Sequence, residues 1–255
     1  MKLLQAHEPP AFEVLNPDAE GMFLLTADHA GRRIPEVLGD LGLAEAERRR
    51  HIAWDIGIAG VTRRLAELLR TPAVLQTYSR LVIDCNRPPE VPSAFPEVSE
   101  ATAIPGNQGL TEADKLMRRR EIFEPYHAAI TGLLAARRAR RTVYVAMHSF
   151  TPVYLGAARP MEVAVLYNRN PVMSHRLAAL LRETGRFVVA ENAPYRVSDT
   201  TDYGVPVHAE RGGLDYVEIE IRQDLIEDEV GQAEWAALLA QLLPMAVPPA
   251  ARGGA

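Results

Sequence analysis

Seven short apolar runs of four to six residues, each closing on a polar segment, limit what this chain can fold into. They span residues 22–26 (MFLLT), 73–76 (AVLQ), 81–84 (LVID), 142–147 (TVYVAM), 162–167 (EVAVLY), 187–190 (FVVA) and 216–221 (YVEIEI). Runs of this length between turn residues read as buried strands, and YVEIEI alternates with the two-residue period of a sheet. Helical patterns fall between them. Residues 57–70 place Ile58, Val61, Leu65, Leu68 and Leu69 on one face. Thr111 followed by acidic residues opens a helix expected to run to about residue 140, and residues 172–182 and 232–243 complete the set. Strands alternating with helices predict an α/β sandwich around a mixed, mainly parallel sheet. No linker divides the chain, so residues 1–255 are expected to form one domain. The tail from Met245 has no periodic pattern and is expected to be mobile.

Composition narrows the function. The net charge of −5 argues against a nucleic-acid partner. No run of about 18 apolar residues and no signal-peptide core occurs, so a cytoplasmic protein without a membrane partner is expected. The one cysteine, Cys85, forms no intrachain disulfide. It reads as a small core residue rather than a nucleophile. The phosphate loop GxxxxGK[ST], the dinucleotide loop GxGxxG and the nucleophile elbow GxSxG are all absent.

The polar residues that remain sit where strands end, the place where α/β sheets carry their chemistry. His29, Asp55 and His148 satisfy the three-ligand count of a catalytic zinc site. Their spacing alone does not separate ligands from hydrogen-bonded structural histidines. Residues 88–109 form a long segment without a period, and such loops are usually functional.

Nine motifs carry a family likeness: ADHAGRRIP, HIAWDIG, YSRLVIDCNRP, IPGN, FEPYH, HSFTP, ENAPY, DYGVPVHAERGG and EIEIRQDLI. In this order the sequence resembles the N-formylglutamate amidohydrolase family. The resemblance implies a three-layer carboxypeptidase-like α/β sandwich, shared with aspartoacylase and succinylglutamate desuccinylase. It also implies one catalytic zinc and hydrolysis of an amide beside a carboxylate-bearing amino acid.

Residue by residue, the zinc carboxypeptidase relatives begin their ligand set with H-x-x-E and a proline three residues later. Here His29 and Pro35 fit that frame, but Arg32 stands at the glutamate. Arginine offers zinc no lone pair, so Asp55 is the expected substitute and His148 the last ligand. Asn86 and Arg87, with Arg80 as a second cation, match a stretch that grips the substrate carboxylate, and Asp84 is expected to orient Arg87. Glu220 matches the catalytic glutamate. Glu218 lies on the same strand face, and Arg222 is expected to hold or polarise Glu220 from that face. Read without the resemblance, the two glutamates make a solvated strand face. Arg159, Tyr195 and His208 occupy loops where recognition residues cluster, while His127 lies inside a helix and reads as structural. The implied enzyme is a zinc-dependent, deformylase-type hydrolase of linear amides acting on a small carboxylated amide. The alternative is a metal-free binding or regulatory protein on the same scaffold, suggested by Arg32.

Overall fold

Residues 2–249 are described by a computed structural model. The strands of the main sheet are β1 (Phe12–Leu15), β2 (Phe23–Ala27), β3 (Ala73–Gln76), β4 (Val143–Phe150), β5 (Val163–Leu166), β6 (Val189–Glu191) and β7 (Asp215–Arg222). They form one sheet in the order β1-β3-β2-β4-β7-β5-β6. The pairs β3/β2, β2/β4, β4/β7 and β5/β6 are parallel, whereas β1/β3 and β7/β5 are antiparallel. The principal helices are α1 (Ile58–Leu68), α2 (Glu124–Ala136), α3 (Val172–Glu183) and α4 (Glu229–Ala246).

The two faces of the sheet differ. One is apolar along its length: Phe23, Leu25, Val145, Met147, Val217, Ile219 and Ile221 pack with Ile58, Val61 and Leu65 of α1, Leu177 and Leu181 of α3, and Trp235 and Leu239 of α4. On the other, Leu24, Tyr144, Ala146 and Tyr216 share a cluster with Tyr126 and Ile130 of α2. Toward the carboxyl ends of β4 and β7 this second face turns polar, because His148, Glu218 and Glu220 fall on its alternating positions. Helices therefore cover both faces and leave a polar crevice at one end of the sheet. No helix among the described residues is long and apolar enough to cross a membrane.

Several expectations change in detail. The run 81–84 is not a strand but part of an irregular turn from 78 to 88. Leu81, Val82 and Ile83 are fully buried, so burial gave the run its strand-like composition. Its amides are met locally, as where Val82 N donates to Ser79 O at 2.9 Å and Asp84 N to Ala94 O at 2.8 Å. β1 was not anticipated, and the run 187–190 begins pairing only at Val189. The helix expected from Thr111 to about 140 forms in pieces. Thr111 caps Glu112–Arg118 through a reciprocal bond with Asp114, a wide π-turn follows at Arg119–Phe123, and α2 then begins with Pro125 in its first turn. Proline has no N–H to continue the ladder, which accounts for the break. α4 extends through Ala246, and residues 250–255 of the expected tail lie outside the described residues.

Candidate active site

Three strand ends and one turn deliver the floor of the crevice. Asp28 and His29 follow β2, Asp55 lies in the turn before α1, His148 is on β4, and Glu218 and Glu220 are on β7. None of these six residues is more than 6% exposed. The turn is fixed by two local features. Asp55 N donates to His29 O at 2.9 Å. Gly57 takes φ 82°, where a Cβ would fall 2.0 Å from Ile226 O, so only glycine fits. Across the parallel pair β4/β7, His148 lies opposite Glu220.

The two imidazoles are arranged alike. His29 Nδ1 lies 3.5 Å and His148 Nδ1 3.0 Å from the same atom, Asp55 Oδ2. Their far nitrogens face other carboxylates: His29 Nε2 is 2.7 Å from Asp84 Oδ1, and His148 Nε2 is 3.7 Å from Asp28 Oδ2. One ligand atom from each of His29, Asp55 and His148 can be chosen so that all three lie within 4.8 Å of one another. These are donor atoms of the kind a zinc site uses, and the carboxylates behind the histidines fix their tautomer and orientation.

Unsatisfied atoms point the same way. His29 Nδ1, Asp28 Oδ2, Glu218 Oε2 and Glu220 Oε2 are buried without a hydrogen-bond partner. Among the described residues, the cationic side chains within 4.0 Å of the five buried carboxylates Asp28, Asp55, Asp84, Glu218 and Glu220 are those of His29, His148 and the partly buried Arg80. A buried excess of negative charge is costly unless a cation joins it or protons neutralise it. The proton affinities show that tension. Burial raises the pKa of Glu218 and Glu220 against the opposing pull of His148. Burial opposes the charged form of His148, but its bond to Asp55 and the nearby Glu218 outweigh this and raise its pKa. At His29, burial and Arg80 are outweighed by Asp84 and Asp55, again raising the pKa. Asp55 and Asp84 are held low despite burial, Asp55 by the two histidines and Asp84 chiefly by Arg80 and His29. The residues present fit a divalent cation.

A cleft of about 360 Å³ opens above this floor, and Arg80, Asn86, Arg87 and Tyr195 line it with His29, Asp55, His148 and Glu220. Arg80 donates twice to Asp84 Oδ2, from Nε at 3.1 Å and Nη2 at 2.6 Å. Asp84 thus orients Arg80 and His29, not Arg87 as expected. Arg87 turns instead to the carbonyls of Asn86 and Thr201 and to Asp202, whose Oδ1 lies 3.4 Å from its Nη1. Asn86 Oδ1 accepts from Tyr203 N at 3.1 Å and Gly204 N at 3.0 Å, which pins the 202–204 loop to the wall. Arg159 stands behind Tyr195 and donates to its hydroxyl at 2.9 Å.

Two expected site residues are not brought to the floor. Arg222 does not reach Glu220: its Nε donates to Asp224 Oδ1 at 2.8 Å, because the strand ends there and a carboxylate two residues on captures the guanidinium. His208 lies behind the cleft wall in a wide π-turn (Val205–Glu210), with its Nε2 2.8 Å from His127 Nδ1. His127 Nε2 in turn meets Cys85 O at 2.9 Å. Burial pushes the His208 pKa down to about 4 and His127 well below the ordinary histidine value. Cys85 is buried and its thiol pKa is pushed up by burial, as a core residue requires. Arg32 lies over Trp54, 5.5 Å from the ring centroid, beside a separate surface groove. The arginine at the glutamate position therefore puts no cation on the floor. Glu218 and Glu220 are buried, which excludes the solvated-face reading.

Other contributors escaped the sequence reading. Asp28, next to His29, accepts from the Tyr126 hydroxyl and faces His148; its place beside a candidate ligand was the available signal. Arg118, 1% exposed, donates to Val82 O at 3.0 Å, Asn107 Oδ1 at 2.7 Å and Gly106 O at 3.2 Å. Asn107 Nδ2 then donates to Leu81 O and Pro96 O, both at 2.8 Å, so the pair fastens the 88–109 loop beside the cleft. A buried arginine inside a charged helical sequence gives no local signal.

A crystal structure of an Agrobacterium tumefaciens gene product superposes with a TM-score of 0.92 at 39% identity, covering 96% of this chain and 98% of that one. The N-formylglutamate amidohydrolase from Ralstonia eutropha shares the fold, with a TM-score of 0.69 at 21% identity over 93% of this chain and 97% of that one. No curated protein matches in sequence. The sequence profile described as N-formylglutamate amidohydrolase matches residues 21–227, and on that match the chain belongs to the N-formylglutamate amidohydrolase family.

Proposed function

We propose that the chain is a zinc-dependent amidohydrolase that cleaves N-formyl-L-glutamate, or a similar N-acyl amino acid, to a carboxylic acid and the free amino acid. The observation that carries this reading is the convergence of His29, Asp55 and His148 beneath the unpartnered carboxyl of Glu220. His29, Asp55 and His148 would hold the metal, with Asp84 and Asp28 orienting the histidines. The chemistry a zinc ion supplies when bound is a more acidic water and a polarised scissile carbonyl.

The chain's own residues do the rest. Glu220 takes the proton of the attacking water at Oε2 and returns it to the leaving nitrogen. A carboxyl whose pKa is raised by burial suits a group that must hold a proton for part of the cycle. Arg80 and Arg87 orient the α-carboxylate, since a guanidinium fork fixes a carboxylate in a plane. Asn86 keeps that wall in place through the 202–204 loop. Purified protein supplied in turn with zinc, cobalt and manganese is expected to release formate from N-formyl-L-glutamate. Folded protein that is inert toward a panel of N-formyl, N-acetyl and N-succinyl amino acids with every metal would point to the metal-free binding protein instead.

A further inference from the structure

We infer that Glu100 is a positioning residue that holds residues 153–158 as a lid at the mouth of the cleft. The lid limits the bulk of the N-acyl amino acid that enters, which rests on the amidohydrolase reading above. The first observation is how little else holds these residues. They form a hairpin, Val153–Tyr154 pairing with Ala157–Ala158. Its apolar side chains stay out of both core clusters, and Leu155 is 63% exposed. The Tyr154 ring meets the Arg159 guanidinium at 4.7 Å, and Val153 bonds to Thr151 at the hairpin's base. Among the described residues, one further hydrogen bond ties the hairpin to the rest of the chain: Leu155 N donates to Glu100 Oε1 at 3.1 Å. An exposed segment with no core contact and so few bonds opens at low cost.

The second observation is what anchors Glu100. It sits in the turn of a second hairpin, Val98–Ser99 with Thr102–Ala103, at φ 55°. That left-handed conformation is unfavourable for a residue with a Cβ and persists where its surroundings hold it. Here the carboxylate accepts from Arg50 Nη2 and lies 3.5 Å from His51 Nε2. Arg50 Nη1 also donates to Thr102 Oγ1 at 3.0 Å, and Thr102 Oγ1 donates to Glu47 Oε2 at 2.7 Å. One carboxylate thus joins the lid to the segment that leads into the Asp55 turn. Glu100 and Tyr154 both line the cleft, Tyr154 from the lid itself. At about 360 Å³ the cleft is near the lower end of the range for ligand cavities, about 300–1,000 Å³. Releasing the Leu155 bond frees Tyr154 to move outward and widens the mouth, while the residues of the floor keep their own bonds.

The test reads the lid twice on the metal-loaded protein, by amide hydrogen exchange and by substrate size. Glu100→Ala is expected to speed exchange of residues 153–158 about tenfold. That is the low end of what a charge-assisted hydrogen bond is worth, since Leu155 is exposed. A bulky substrate that enters only the open cleft has an apparent affinity proportional to the open fraction. Its kcat/KM, measured with N-benzoyl-L-glutamate, should therefore rise by about the same tenfold. That for N-formyl-L-glutamate should change by less than about threefold. Glu100→Gln, which keeps an acceptor for Leu155 N, should give smaller shifts, and Arg50→Met, which removes the anchor, should move both readouts in the same direction. These two variants carry the test if Glu100→Ala does not fold. Unchanged exchange, faster exchange with an unchanged ratio of the two substrates, or equal loss of both overturns the inference and leaves the amidohydrolase reading standing. So does a wild type that takes the benzoyl substrate as readily as the formyl one. A wild type that hydrolyses no N-acyl amino acid overturns that reading and the size selection with it, and the exchange rates then decide whether Glu100 holds the hairpin.

Discussion

The molecule holds two buried histidine pairs, and their surroundings set them apart. His29 and His148 have ring centroids 5.1 Å apart, and each faces two carboxylates. His127 and His208 also have ring centroids 5.1 Å apart, but they stack beside Phe123 and Tyr203 and bond only to each other and to a backbone carbonyl. Proton affinity rises in the first pair and falls in the second. Residue type and burial are the same; the charge placed around the rings differs. The carboxylate-bound pair is suited to hold a cation, and the aromatic pair is suited to remain neutral and join α2 to the wall that carries Asp202.

The largest effect should come from the carboxyl above the first pair. Glu220→Gln keeps shape and hydrogen-bonding capacity but cannot take the proton, so kcat is expected to fall by roughly 10²–10⁴ with the metal content unchanged. Glu218→Gln is the control: if it is the inactive variant, the proton carrier is the other glutamate of β7. A smaller effect is expected from Asp84→Asn, which removes the charge behind His29. Loss of an outer carboxylate should weaken metal binding by about 10–100-fold in a chelator competition, whereas unchanged affinity would leave Asp84 as a partner of Arg80 alone.

The smallest effect belongs to the second pair. His208 has a folded pKa near 4 and His127 one well below the ordinary value near 6.5. Between those limits the unfolded chain binds protons that the folded chain excludes. The pair's contribution to stability is therefore fully present above pH about 6.5 and is lost as the pH falls toward 4. The melting temperature of His208→Gln, followed from pH 7.5 to 4.5, should fall less steeply than that of the wild type. Parallel curves would place the acid sensitivity elsewhere.

The sequence shows the strand ends well because strand and loop chemistry change there abruptly: MFLLT before His29 and TVYVAM before His148 each place a ligand candidate at the crevice. It shows side-chain direction poorly. Period-two alternation puts Arg222 on the face of Glu220, yet Asp224 draws it away where the strand ends. Composition cannot tell a buried turn from a buried strand, so residues 81–84 read as a strand. The partners of Asp84 come from long-range packing: His29 is 55 residues away, a distance at which spacing carries no signal. The burial of Glu218 and Glu220 is likewise set by elements that lie far off in sequence.

The two pairs differ in what they predict for metal binding. Protein purified in zinc-containing medium and dialysed can be assayed by elemental analysis as wild type, His148→Ala and His208→Gln, with circular dichroism to confirm the fold of each. One zinc per chain in the wild type and His208→Gln, with loss of zinc from His148→Ala, is the predicted result. Equal zinc in all three, or loss on changing His208 but not His148, would contradict the assignment of the metal site to His29, Asp55 and His148.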